Sequence, residues 1–184
     1  MAASPNITTQ YTSEQFVESC GAILFDLSTS QNKTVCLIHY HAKNEWLLAK
    51  GRRNCGESRH EAALREVHEE TGYQLHLHPV KMRTRAPPMH EHVHMPDEPH
   101  SYPELTEPFM VTMRQLGAGN VDNIKIIWWY IAALDEGMVA KAGGNGGEEE
   151  FTPEFFPFQE ALEKLTFEND REVLRKAIAL VKGL

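Results

Sequence analysis

The stretch GRRNCGESRHEAALREVHEETGY, Gly51 to Tyr73, gathers arginines in a glycine-bounded loop at its start and carboxylates at Glu66, Glu69 and Glu70 at its end. Its mechanics are local. Ser58-Arg59-His60-Glu61 fits a capping box, a serine followed three residues later by glutamate, and Gly72 fits a helix C-terminal stop. About a dozen good helix formers lie between them. Ala63, Leu64 and Val67 fall on one side of that helix and can bury against a sheet. Glu66, Glu69 and Glu70 share an adjacent stripe, where like charges repel. Glu61–Arg65 and Arg65–Glu69 pairs relieve part of the repulsion, and a bridging divalent cation relieves it more directly. Hard cations such as Mg²⁺ take a few carboxylate oxygens and complete their shell with water and phosphate. On helix spacing alone, an exposed acidic face is the favoured reading.

Outward from this stretch the chain reads as one α/β domain. Residues 1–15 read as a loose polar arm and 16–184 as a single domain, with no internal repeat or dividing linker. Apolar runs over Val17–Leu27, Thr34–Tyr40, Trp46–Ala49, Tyr73–Thr84, Leu105–Leu116 and Ile124–Leu134 predict strands, the last of them central. Trp128 and Trp129 are adjacent, so on a strand they face opposite sides and at least one belongs to the core. Ala86–Pro108 holds six prolines and four histidines and predicts a long loop. His90, His92, His94 and His100 read as solvated side chains in preference to a metal site. Gly143–Gly147 reads as another loop, followed by Glu148, Glu149 and Glu150. Two helices are predicted at the C-terminus, over about Phe158–Leu165 and Arg171–Val181.

Composition narrows the function. Hydrophobic residues make up 41% and charged residues 24% of the 184 residues, a globular balance. No apolar run approaches a membrane span, so no membrane partner is expected. Three sparse cysteines favour a reducing compartment. A cytoplasmic address is the reading. A secreted effector with its signal segment trimmed is the alternative, to which the Asn6-Ile7-Thr8 and Asn32-Lys33-Thr34 sequons would then matter. The net charge of −8 disfavours stable nucleic-acid binding. Yet residues 43–85 carry nine Lys or Arg against six Asp or Glu, while the remainder carries nine against twenty. That concentration is either a solvated face or a site for a polyanion. Lys81, Arg83 and Arg85 alternate, so a strand would point them to one face. With Lys43, Lys50, Arg52, Arg53 and Arg59 they would form a cationic basin for a multiply phosphorylated small molecule. The oligomeric state is open.

The whole stretch resembles the Nudix box. Gly51, Glu57, Arg65, Glu66, Val67, Glu69, Glu70, Gly72 and Tyr73 occupy its positions, with Tyr73 a semi-polar choice at an apolar place. Trp46-Leu47-Leu48-Ala49-Lys50 resembles the segment that leads into the box, with alanine at 49 where proline is usual. Phe151–Val181 resembles the closing segment of the family. The resemblance implies a three-layer α/β/α sandwich around a mixed β-sheet. It also implies Mg²⁺-dependent hydrolysis of a phosphoanhydride, with Mn²⁺ as an alternative ion. By the same resemblance Glu66, Glu69, Glu70 and the Lys50 carbonyl are metal ligands, with Glu69 alternatively the base. Arg65 and Glu57 are an orienting pair, and the acidic run Glu148–Glu150 is another source of the base. The wording from Lys50 to Ser58 is similar to fungal Nudix proteins, the branch acting on diphosphoinositol and diadenosine polyphosphates. ADP-ribose, nucleotide sugars, nucleoside triphosphates and capped RNA stay open as substrates, as does a non-catalytic binding module.

Overall fold

The structure is a computed structural model in which residues 6–29, 31–88, 96–117, 123–137 and 150–184 are described. In chain order the described elements are β1 (Phe16–Asp26), β2 (Thr34–Tyr40), β3 (Glu45–Leu47), β4 (Lys50–Arg52), α1 (Arg59–Thr71), β5 (Leu75–Leu77), β6 (Val80–Thr84), β7 (His100–Leu105), β8 (Met110–Leu116), β9 (Asn123–Leu134), β10 (Phe151–Pro157), α2 (Phe158–Lys164) and α3 (Glu168–Val181). The two longest apolar runs form the centre. β1 and β9 pair in parallel from Phe16–Ile124 to Phe25–Ala133, and the other strands join antiparallel, so the sheet is mixed. The neighbours of this pair change along its length. At one end the order is β4-β1-β9-β8, and at the other β10-β2-β1-β9-β5.

Side-chain alternation then divides the core in two. On one face Cys20, Ala22, Leu24, Tyr130 and Ala132 bury against Ala62, Ala63 and Val67 of α1. On the other, Ile23, Phe25, Ile127, Trp129 and Ile131 bury against Ala161 of α2 and Val173, Leu174, Ala177 and Ile178 of α3. This is the α/β/α sandwich. Trp129 is in the core and donates from Nε1 to Thr112 Oγ1 at 3.0 Å, while Trp128 faces the α1 side and is only partly buried.

Several expectations are corrected. Tyr73–Thr84 is two strands in two sheets: β5 pairs with β9, and after His78-Pro79 the chain leaves the main sheet so that β6 pairs with β7. The proline-rich segment is not loop throughout, since β7 runs through Pro103. A two-stranded ribbon tolerates that proline because the register shifts between Val80 and Met82, and Glu104 adopts φ 52° beside it. The Glu61–Arg65 pair is replaced: Glu61 serves the cap at Ser58 and Arg65 turns to Glu57. β4 and β10 are strands where the sequence reading has a loop and part of a closing segment. His90, His92, His94, Gly143–Gly147, Glu148 and Glu149 lie outside the described residues.

Candidate active site

The acidic helix is placed by its own caps. Ser58 N–H donates to Glu61 Oε2 at 2.9 Å, and Glu61 N–H donates to Ser58 Oγ at 3.3 Å. Gly72 closes the helix at φ 69°, its N–H donating to the His68 carbonyl at 2.7 Å. Burial of Ala62, Ala63, Val67 and Thr71 against the sheet turns the Glu66 and Glu70 stripe toward β4.

There the backbone of Lys50 and Gly51 meets the acids. Lys50 N–H donates to Glu70 Oε2 at 3.1 Å. A Cβ on Gly51 would fall 1.5 Å from Glu66 Oε2, so the carboxylate occupies the space that a side chain would need. Glycine is required here for close approach.

Arg65 organises the remaining oxygens. Its Nε and Nη2 grip Glu57 Oε1 and Oε2 at 2.7 and 3.0 Å. Its Nη1 donates to Glu66 Oε1 at 2.7 Å and Glu69 Oε2 at 2.9 Å, and Nη2 also reaches the Arg52 carbonyl at 3.0 Å. Such a bidentate guanidinium–carboxylate fork fixes both partners. The Arg65 bonds hold Glu57 below the usual carboxylate range, aided by the Asn54 N–H. Glu66 moves the other way. Burial raises it, Arg65 opposes, and Glu69 and Glu57 add repulsion, so the net direction is up. Its charge is incompletely compensated by the protein.

Among the described residues no three His, Cys, Asp or Glu side chains form a ready metal cage. The oxygen set still fits a hard cation. Mg²⁺ binds through one or two carboxylates and retains waters and substrate phosphates. Glu66 and Glu70, set against the backbone of Lys50 and Gly51, supply such donors. Glu69 is tied to Arg65, with its side chain 45% exposed.

The expected basin does not assemble as one group. Arg53 and Arg59 converge on Glu18, with Arg53 Nε to Oε2 at 3.0 Å and Arg59 Nε to Oε1 at 2.8 Å. Trp128 Nε1 donates to Glu18 Oε1 at 2.9 Å, and the Arg59 guanidinium lies over the Trp128 ring at 4.2 Å. Burial works to raise the Glu18 pKa, but the hydrogen bonds from Arg59, Trp128 and Arg53 win and hold it low. Lys81 and Arg83 share the exposed face of β6, in the separate ribbon. Arg83 donates to the Pro99 carbonyl, and Arg85 to Asp97 Oδ1 and the Asp97 carbonyl. Lys43 lies in the exposed turn between β2 and β3.

The sequence reading misses Glu18, Lys125, Arg114 and Asp170. Lys125 had a signal: it is the one charge inside the run IKIIWWYIAAL. Glu18 had none, since its partners lie 35, 41 and 110 residues away.

Comparison with known proteins agrees with this geometry. The NUDIX domain family matches residues 19–177. Among solved structures, the C. elegans Ap4A hydrolase shares the fold with TM-score 0.56 at 16% identity, covering 90% of this chain and 98% of that one. The MutT protein of Bacillus halodurans gives TM-score 0.55 at 18% identity, over 86% and 80% of the two chains. The E. coli dihydroneopterin triphosphate pyrophosphohydrolase gives 0.53 at 12% identity, over 90% and 95%. No curated protein matches the chain significantly. With a capped acidic helix set against the glycine of β4 and a family match over most of its length, the chain belongs to the NUDIX family and is a Nudix hydrolase.

Proposed function

We propose that the chain is a Mg²⁺-dependent phosphohydrolase that cleaves a phosphoanhydride in a highly phosphorylated small molecule, with diphosphoinositol polyphosphates and diadenosine polyphosphates as its substrate class. The observation that carries this is the seating of Glu66 and Glu70 against the backbone of Lys50 and Gly51, with Arg65 fixing the neighbouring oxygens. A bound divalent ion supplies positive charge to the non-bridging oxygens and lowers the pKa of a water. The protein's own residues do the rest. Arg65 and Glu57 hold the acid stripe in register, and Glu69 is the exposed carboxylate positioned to take a proton from water. Lys50 and Arg52 of β4, which form no ion pair among the described residues, receive the charge that grows on the departing phosphate. The similarity of the Lys50–Ser58 wording to fungal diphosphoinositol-type proteins supports the substrate class, as does the shared fold of an Ap4A hydrolase.

The test is a panel of diphosphoinositol polyphosphate, diadenosine tetraphosphate, ADP-ribose and a nucleoside triphosphate, each with Mg²⁺ and with Mn²⁺. Turnover of the first two, abolished by chelation and lowered ~100-fold or more by Glu70→Gln, is the expected result. Equal rates for wild type and Glu70→Gln would reject the role of the acids. Exclusive turnover of ADP-ribose would reject the substrate class. Tight binding without turnover would make the protein a binding module.

A further inference from the structure

Strand register puts four cations on one face of the sheet, opposite to α1. Lys50 and Arg52 of β4 pair with Gly21 and Ser19 of β1, Ser19 pairs with Ile127 of β9, and Lys125 of β9 pairs with Arg114 of β8. Directly paired residues point the same way, and so do alternate residues along a strand. Lys50, Arg52, Lys125 and Arg114 therefore share the α2/α3 side, across three strand spacings or roughly 14 Å.

Their partners distinguish them from the arginines of the β4–α1 stretch. Arg53, Arg59 and Arg65 are each bound to glutamates. Among the described residues none of Lys50, Arg52, Lys125 and Arg114 forms an ion pair, although all four side chains face a common space. Lys125 is half-buried. Its burial, with repulsion from Lys50, Arg114 and Arg52 outweighing attraction from Glu66, pulls its pKa down. Beneath Arg52, Ser19 is fully buried and its hydroxyl has no partner among the described residues. From α3, Asp170 reaches the same face. It is buried, its carboxyl sits within electrostatic range of Lys50 and Arg114, and burial pushes its pKa up. Crowded cations with one acid between them are costly without an anion.

Resting on the phosphohydrolase reading above, we propose that this face is the polyphosphate track: the scissile phosphate lies at the edge strand β4, between Glu66 and Lys50, and the phosphates beyond it run over Lys125 to Arg114. The β6–β7 ribbon, whose arginines bind the segment 97–99, is not the main contact. Asp170 opposes the track, and its charge limits how much anion the face accepts.

Inorganic tripolyphosphate, titrated by calorimetry without metal, is the probe, and KM for diadenosine tetraphosphate is read alongside. Lys125→Met with Arg114→Met is expected to weaken tripolyphosphate at least ~10-fold, raise KM in step, change kcat less, and reduce the salt dependence of binding. Asp170→Asn is expected to tighten tripolyphosphate. Arg114 is exposed, so Arg114→Met alone serves if the double variant fails to fold, with a smaller loss expected. Unchanged affinity in the folded variants overturns the proposal, as does a larger loss with Arg83→Ser and Arg85→Ser. Loss of turnover in Glu70→Gln with unchanged tripolyphosphate binding in the Lys125 and Arg114 variants sinks this track alone. Binding lost with those variants in a protein that hydrolyses no phosphoanhydride sinks the enzyme reading and leaves the track standing.

Discussion

Gly51 and Glu66 are coupled by space. The carboxylate fills the volume of the absent side chain, and Arg65 holds its other oxygen. Gly51→Ala would therefore push Glu66 away from the β4 backbone at Gly51 without touching the hydrophobic core. Misplacing a reacting group by about 1 Å costs on the order of 10²-fold in rate. We expect metal-dependent turnover of Gly51→Ala to fall by about that factor while its melting temperature stays within a few degrees of wild type. Kinetics and thermal melts on one preparation check this, and unaltered kcat would show that the close approach is incidental. The box residues were legible because their spacing is itself the chemistry: acids three and four apart must share a helix stripe. The Arg65–Glu69 pair was legible from its spacing of four and is present. That Arg65 also takes Glu66, and that Glu66 and Glu70 seat on β4, was not legible, because those contacts depend on where the tertiary fold sets β4 against the helix.

α1 is the element whose limits the residues set locally. Ser58 and Gly72 bound it in the structure as in the sequence reading, because a cap hydrogen bond and a left-handed glycine depend on only a few neighbours. Ser58→Ala removes the acceptor for Glu61 N–H. It should cost about 1 kcal/mol, seen as a lower urea midpoint at unchanged slope. A midpoint equal to wild type would mean that packing alone holds the helix start. The short strands were harder. β4 is three residues with a glycine at its centre, and its strand character comes from pairing with Ser19–Gly21. β10 contains two prolines and an acid, and becomes a strand because Tyr40 to Thr34 offer it a complete antiparallel partner. β5 and β6 lie in one apolar run, yet they separate because β8 already occupies β9 from Asn123 to Trp129, so β5 pairs only with Ala132–Leu134 and the chain turns away after His78-Pro79.

Across the molecule, Glu18 ties the β4–α1 loop to the central sheet. It receives Arg53, Arg59 and Trp128, with its own side chain 11% exposed. Its pKa is held below the unfolded value of about 4.3. The stability it contributes is complete above that value and is lost as pH falls through the folded pKa. Glu18→Gln should lower stability at pH 7 by about 1–3 kcal/mol, the range for charge-assisted bonds. It should also flatten the acid limb of melting temperature against pH below about pH 5. Glu57, held low by Arg65, keeps part of that limb in the variant. Parallel acid limbs in the two proteins would remove Glu18 from this role. Membrane insertion by a helix has no basis in the described residues, none of whose helices is long and apolar enough to span.

By itself the sequence determined the acidic helix, its caps, the glycine beside it and the family, since each depends on contacts within a few residues or on a pattern of fixed spacing. The tertiary structure alone decided which cations stand free. Lys125 meets Arg114 and Val17, and Cys20 meets Trp128, only through strand pairings that join residues up to about a hundred positions apart. A strand's side chains alternate between faces, so a shift of one residue in register would have sent the same charges to the opposite side.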